Sequence, residues 1–123
     1  MDVYGWSTAD GGSLVQWSST GGANQQWNIV PVSGQLYKIV NRNSGKVLDI
    51  NAASHWRGTT LQQYTYGGGN NQLWYFEPTS GGYLIRNFEN RQILEVSNGS
   101  TANGAAIDQW MPLNQSNQAW TIQ

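Results

Sequence analysis

The chain has 123 residues, which at roughly 100–200 residues per domain makes one domain. Six Lys and Arg stand against seven Asp and Glu, a formal net charge of −1, so the dense cationic face that a phosphate backbone requires is missing and no nucleic acid partner is expected. With no cysteine and a single histidine, disulfides, zinc–thiolate sites, thiol nucleophiles and imidazole clusters are excluded, and no metal or cofactor is expected.

Charged residues make up 11% of the chain and hydrophobic ones 38%, a combination that would starve an ordinary core. Seven tryptophans offset it, because each can bury about 150–250 Å². An ordered domain follows. No apolar run approaches the ~18–20 residues of a membrane span, and no basic, apolar, cleavable segment follows Met1.

In chain order, apolar residues alternate over short stretches bounded by Gly, Ser and Asn, which is the period of strands and turns. The alternation predicts strands over 1–4, 14–18 and 26–30, then 36–42, 47–50, 60–65 and 73–77, then 82–87, 93–96, 106–111 and 119–122. No apolar stripe at helical spacing and no capping box leading into one runs for a useful length. The chain reads as all-β.

The strands belong to an internal repeat. Asn24-Gln25-Gln26-Trp27, Asn71-Gln72-Leu73-Trp74 and Asn117-Gln118-Ala119-Trp120 recur 47 and 46 residues apart. Other columns keep the same offsets: Trp17, Tyr64 and Trp110; Gly11, Gly58 and Gly104; Leu14, Leu61 and Ile107; Asp2, Asp49 and Glu95. Residues 37–42 (Tyr37 to Arg42) align with 83–88, and the first repeat has no counterpart. The expected units are 1–32, incomplete, then 33–78 and 79–123, with three, four and four strands. Each unit is too small to bury its own apolar face, so threefold closure around shared apolar positions is the economical arrangement.

These residues resemble the ricin-type β-trefoil lectins, also classed as family-thirteen carbohydrate-binding modules, whose mark is the Gln-x-Trp repeat. Here the mark is Gln25–Trp27, Gln72–Trp74 and Gln118–Trp120, supported by the run from Ser44 to Ile50. The resemblance covers essentially the whole chain. It implies a β-trefoil in which the first and fourth strands of each unit form a barrel and the second and third form hairpins that cap it. By that count the first strand of the first unit is missing. Many relatives carry cysteines where this chain has Val47, Ser19, Tyr66 and Pro112, a departure that bears on stability alone.

The resemblance also implies sugar binding. A sugar ring offers an apolar C–H face and a girdle of hydroxyls, so its receptor needs an aromatic platform and a few fixed polar groups. A carboxylate accepting from adjacent hydroxyls is the strongest of these. Carried over by position, the first pocket is Asp2, Trp17, Asn24 and Gln25; the second is Asp49, Tyr64, Asn71 and Gln72; the third is Glu95, Trp110, Asn117 and Gln118. Galactose-binding relatives carry a Gln two residues before the aromatic; that column reads Val15, Gln62 and Asp108, so only the middle unit keeps it. The longer Glu95 side chain weakens the third pocket, and a terminal Asp2 makes the first conditional on how the chain starts.

Bland roles stand beside these. Trp27, Trp74 and Trp120 read as core anchors, as do Leu48, Leu94, Ile29, Phe76 and Ile122. Gln25, Gln72 and Gln118 have two open roles, satisfying buried backbone or touching ligand. Asp49 has an Asx-turn as its alternative. Trp6, His55 and Trp56 fall on hairpin loops, where they either extend a groove or are ordinary exposed side chains.

The resulting expectation is a non-catalytic domain that binds glycans of the galactose, lactose or xylan type and that the resemblance makes secreted. A glycosidase would need two carboxylates across one bond, whereas the aligned acids recur once per unit. A third reading is an interaction piece whose incomplete barrel leaves strand edges unpaired, open to an oligomer contact or to a strand-donating partner.

Overall fold

The computed structural model describes residues 1–122. Ten strands carry the fold: β1 (Asp2–Val3), β2 (Leu14–Val15), β3 (Trp27–Ser33), β4 (Leu36–Asn41), β5 (Val47–Ile50), β6 (Leu61–Tyr64), β7 (Trp74–Thr79), β8 (Gly82–Asn87), β9 (Ile93–Val96) and β10 (Ile107–Trp110). Single-turn 3-10 segments join them, and no α-helix occurs among the described residues. The chain is a β-trefoil.

Two kinds of hairpin recur. β3–β4 and β7–β8 are long antiparallel pairs, with Trp27 opposite Asn41 and Trp74 opposite Asn87. They build the barrel wall. The shorter pairs β1–β2, β5–β6 and β9–β10 form the cap, where the bridges Ser13–Gln62, Thr60–Asp108 and Val15–Ala106 join each hairpin to the next. Pseudo-threefold symmetry thus follows from the repeat.

The glycine column has a backbone cause. Gly11, Gly58 and Gly104 sit at φ of +88°, +82° and +88°, in the left-handed region that L side chains resist. Each turn brings its amide to a carbonyl of the neighbouring repeat: Gly11 N–H to Gln63 O at 2.8 Å, Gly58 to Gln109 O at 2.8 Å and Gly104 to Gln16 O at 2.9 Å. One conformation makes the turn and the joint together.

The core lies between barrel and cap. Leu14, Leu61 and Ile107 meet Leu48, Ile50, Leu94, Ile39, Ile85 and Trp74 there. The tryptophan anchors are unequal: Trp74 is fully buried, whereas Trp27 and Trp120 are half-buried against the cluster. Leu48 and Leu94 are fully buried as expected, but Ile29 and Phe76 are half-buried and Ile122 is 48% exposed.

The strand expected over 119–122 is a single bridge, Trp120 to Tyr83, with backbone bonds of 2.8 and 2.9 Å. A barrel strand is stabilised by ladders on both sides. β7 has them, from β4 and β8; the stretch around Trp120 has only β8, and β3 has only β4. Between these two edges lies a cavity of about 560 Å³, lined in part by Trp27, Ile29, Ile39, Phe76, Ile85 and Trp120. The exposure of Ile122 and the partial burial of Trp27 and Trp120 follow from this opening.

Candidate functional site

The repeated acids occupy one position on the three cap hairpins, and the local register decides what each faces. Asp2 pairs with Val15, Asp49 with Gln62 and Glu95 with Asp108. All three acids are buried, with exposures of 6%, 4% and 7%. A buried carboxylate is costly unless hydrogen-bonded, and the amides preceding each tryptophan meet that need.

In the middle repeat the network is complete. Asp49 Oδ2 accepts from Gln72 Nε2 at 2.9 Å and Asn71 Nδ2 at 3.2 Å, and its Oδ1 accepts from Gln62 Nε2 at 3.1 Å. Burial pushes the Asp49 carboxyl above its ordinary pKa, opposed by the bonds from Gln72, Gln62 and Asn71. An ionised carboxylate offers about four acceptor positions. Three are used internally, so one remains for a ligand hydroxyl.

Gln72 has no such spare capacity. Its Nε2 also donates to Thr65 O at 3.0 Å, and its Oε1 accepts from Gly67 N–H at 2.8 Å. The same pattern recurs at Gln25, with Asp2 Oδ2 at 2.8 Å, Ser18 O at 2.9 Å and Thr20 N–H at 2.8 Å. Gln118 repeats it with Glu95 Oε1 at 3.0 Å, Met111 O at 3.0 Å and Leu113 N–H at 2.8 Å. The Gln of each Gln-x-Trp mark therefore clamps the preceding loop and holds the acid. Of the two roles open in the sequence, the backbone-satisfying one is filled.

The asparagines divide. Asn71 bridges Asp49 and Ile50 O, and Asn24 bridges Asp2 Oδ2 at 3.3 Å and Val3 O at 3.2 Å. Asn117 reaches Val96 O at 3.0 Å and makes no bond to Glu95. Asn24 Oδ1 is buried without a partner.

The aromatic column faces outward. Trp17 and Tyr64 are each 44% exposed, and Trp110 is half-buried. Trp17 lies beside Tyr4, with ring centroids 6.2 Å apart, and next to Gly104; Trp110 lies next to Gly58. In the middle repeat ring, acid and amides line one concavity: Asp49, Gln62, Tyr64 and Asn71 share a pocket of about 380 Å³ with Asn51, Ala52 and Ala53. A cavity of about 320 Å³ in the last repeat touches Asn117 but is lined by Gln16, Ser100 and Thr101 in place of Glu95 and Trp110. On the loops, Trp56 is 81% exposed and Trp6 53%, and His55 lies 3.5 Å from Glu89.

Sequence reading missed a further column. Gln63 Nε2 donates to Ser7 O and Ala9 O, Gln109 Nε2 to Ser54 O and Trp56 O, and Gln16 Nε2 to Ser100 O and Ala102 O, all within 2.7–3.0 Å. Each glutamine of one repeat thus fastens the cap loop of another, including the loop that floors the middle pocket. The signal was available, since the three recur 47 and 46 residues apart.

Comparison with known proteins decides the family. The chain matches the ricin-type beta-trefoil lectin domain-like family over residues 1–64 and 70–123. It belongs to that family.

Among solved structures, this trefoil is similar to a designed threefold-symmetric protein, ThreeFoil, at 40% identity and a TM-score of 0.95, covering 98% of this chain and 86% of that one. It is similar to part of an exo-β-1,3-galactanase from Clostridium thermocellum at 38% identity and a TM-score of 0.94, covering 98% of this chain and 26% of that one. A mosquitocidal holotoxin matches at 30% identity and a TM-score of 0.85, over 94% of this chain and 14% of the toxin. The lectin-like chain therefore spans about a quarter of the galactanase and a seventh of the toxin. No curated protein matches it.

Proposed function

We propose that the domain binds carbohydrate without turning it over, chiefly through the middle pocket. The observation that carries this reading is the Asp49 carboxylate, held by three amides beside the exposed Tyr64 ring in one shallow concavity. A pyranose stacks its C–H face on the ring and gives a hydroxyl to the open acceptor position of Asp49, while Asn71 and Gln62 offer amide contacts at the rim. Gln72 acts behind them as a positioning residue. The Trp17 and Trp110 sites, with Asp2, Asn24 and Gln25 and with Glu95, Asn117 and Gln118, are weaker copies.

The preferred glycans are galactosides, with xylose-containing polymers second. Support comes from the likeness to the exo-β-1,3-galactanase and to a Polyporus squamosus lectin, 27% identical, whose structure holds Neu5Acα2-6Galβ1-4GlcNAc. A shallow pocket gives a single-site affinity of about 1 mM, roughly −4 kcal/mol. Useful strength comes from several sites engaging one polymer. The domain is expected to work outside the cell, and as an appended module when joined to a hydrolase.

A glycosidase reading is disfavoured by its carboxylates. Catalytic pairs stand roughly 5–9.5 Å apart across a substrate, whereas Glu95 and Asp108 are buried directly opposite each other on β9 and β10. Calorimetry against lactose, β-1,3-galactan and xylan is the test. Asp49→Ala and Tyr64→Ala should each weaken binding about tenfold or more, and unchanged binding in both removes the middle pocket.

A further inference from the structure

We propose that Trp6 decides what the first pocket accepts: its indole shuts that pocket to the glycan taken by the middle one, by covering the Asn24 side-chain oxygen that a ligand hydroxyl would need. The proposal rests on the sugar reading and deepens it, because it separates two pockets that look alike in sequence.

The first pocket has the parts of the middle one. Asp2 is held by Gln25 and Asn24 as Asp49 is held by Gln72 and Asn71. Trp17 supplies an exposed ring where Tyr64 does, with Tyr4 beside it. The asparagines also spend their amide nitrogens alike, Asn24 on Val3 O, Asn71 on Ile50 O and Asn117 on Val96 O. What each has left for a ligand is Oδ1, an acceptor.

At that oxygen the pockets differ. Asn71 and Asn117 are half-buried or less covered, and each lines a cavity. Asn24 is 2% exposed, and its Oδ1 is buried with no donor among the described residues. The cause is the loop after β1. A Cβ on Gly22 would lie 2.6 Å from Trp6 Cζ2, 3.0 Å from Trp6 Cη2 and 2.7 Å from Asn24 Oδ1, so the ring edge and the oxygen crowd one point. A Cβ on Gly69, the counterpart of Gly22, would meet only Asn71. Bulk changes sides along this column of the repeat: Trp6 goes with Gly22, Ala53 with Gly69 and Gly99 with Gln115.

No hydrogen bond fastens the ring in place. Trp27, Trp74 and Trp120 each donate the indole N–H to a backbone carbonyl, whereas Trp6 donates to none among the described residues and is 53% exposed. Trp6 also holds a φ of +58°, a conformation that L side chains resist. Backbone strain and a desolvated, unpaired acceptor therefore meet at the mouth of one pocket, and both oppose the closed arrangement. The middle pocket, with Ala53 in place of the indole, leaves its asparagine open.

Titrating the full chain with lactose, while following the side-chain amide signals of Asn24 and Asn71 by NMR, tests the proposal. In the wild type the Asn71 signals should move and the Asn24 signals should not. In Trp6→Ala both should move, the Asn24 set at a higher lactose concentration, and its movement should survive a further Tyr64→Ala. Trp6→Gly should behave likewise and serves if the alanine variant folds poorly. In the reverse sense, Ala53→Trp, for which Gly69 leaves room, should weaken the response of Asn71 at least about tenfold while circular dichroism is kept. A wild type in which neither asparagine responds to lactose, β-1,3-galactan or xylan overturns the sugar reading and this proposal with it. A wild type that responds at Asn71, with folded Trp6→Ala and Trp6→Gly silent at Asn24, overturns this proposal alone. So does a wild type whose Asn24 signals respond and lose that response in Trp6→Ala, since the indole would then be a wall of the pocket and not its cover.

Discussion

Glu95 and Asp108 stand directly opposite each other on β9 and β10, two carboxyl groups sharing one cross-strand position. The equivalent pair in the middle repeat is Asp49 and Gln62, an acceptor facing a donor. Burial pushes the Asp108 carboxyl up to about 7, reinforced by the hydrogen bond to Glu95 and by the Glu95 charge. Near neutral pH the Asp108 carboxyl therefore still holds its proton about half of the time.

Stability should therefore fall as pH rises. The folded state holds the Asp108 proton up to about 7, whereas the unfolded chain releases it near the ordinary value of about 4. Between those values the native state binds more protons, so its advantage is complete below about pH 4 and is lost by the time pH has risen past 7. Burial raises Asp49 too and adds a contribution of the same sign. Melting temperatures from pH 4 to 8 should decline, and Asp108→Asn should flatten most of the decline, since its amide donates to Glu95 at every pH. A slope identical in the two proteins would refute the assignment.

The same comparison predicts a gain of function resting on the sugar reading. Asp108→Gln combined with Glu95→Asp recreates the register of Asp49 and Gln62 in the last repeat. Calorimetry with lactose should then show a further site, or about threefold tighter polymer binding. A silent double variant that still folds would mean that the pocket floor, and not the acid–amide pair, decides activity.

The repeats were legible because apolar and polar residues alternate along the strands and the same Gln-x-Trp leads into β3, β7 and the Trp120 stretch. Less legible was the fate of residues 119–122, whose pattern is that of a strand. Pattern states which face is apolar, but a ladder needs a neighbour, and Trp120 finds one on a single side. The site was legible as a set of columns and illegible as a division of labour. Gln72 and Tyr64 recur equally well, yet Gln72 is spent on Thr65, Gly67 and Asp49 while Tyr64 stays open. Side-chain amides donate and accept alike in sequence; only the distances say which bonds are taken.

Gln63 offers a direct test of how the cap is held. It is fully buried, donates to Ser7 O and Ala9 O, and accepts from Ser44 Oγ at 2.7 Å. Gln63→Ala strands two carbonyls and a hydroxyl, and at ~1–3 kcal/mol per unsatisfied group the loss should be on the order of 3 kcal/mol. Gln109→Ala should cost about as much, because Gln109 is equally buried and accepts from Asn90 at 2.7 Å. Gln16 is half-buried, so water replaces part of what Gln16→Ala removes and the cost should be smaller. Urea midpoints at unchanged m-value measure all three. Equal losses across the column would show that burial does not set the cost.

The floor of the middle pocket carries backbone strain. Ala52 and Ala53 sit at φ of 55° and 52°, whereas the corresponding pairs are Gly5–Trp6 and Asn98–Gly99, each with one glycine. A left-handed L-residue costs roughly 1–2 kcal/mol, partly offset by the greater freedom glycine gains on unfolding. Ala53→Gly should therefore stabilise the protein by about 0.5 kcal/mol, a rise of 1–3 °C or so in the melting temperature. Both alanines line the pocket with Tyr64 and Asn71, and strain of this kind gathers where a loop must be held for a ligand. The variant separates the two effects. A loop rigidified for binding predicts higher stability together with weaker lactose binding, whereas higher stability with unchanged binding would make the strain incidental to the site.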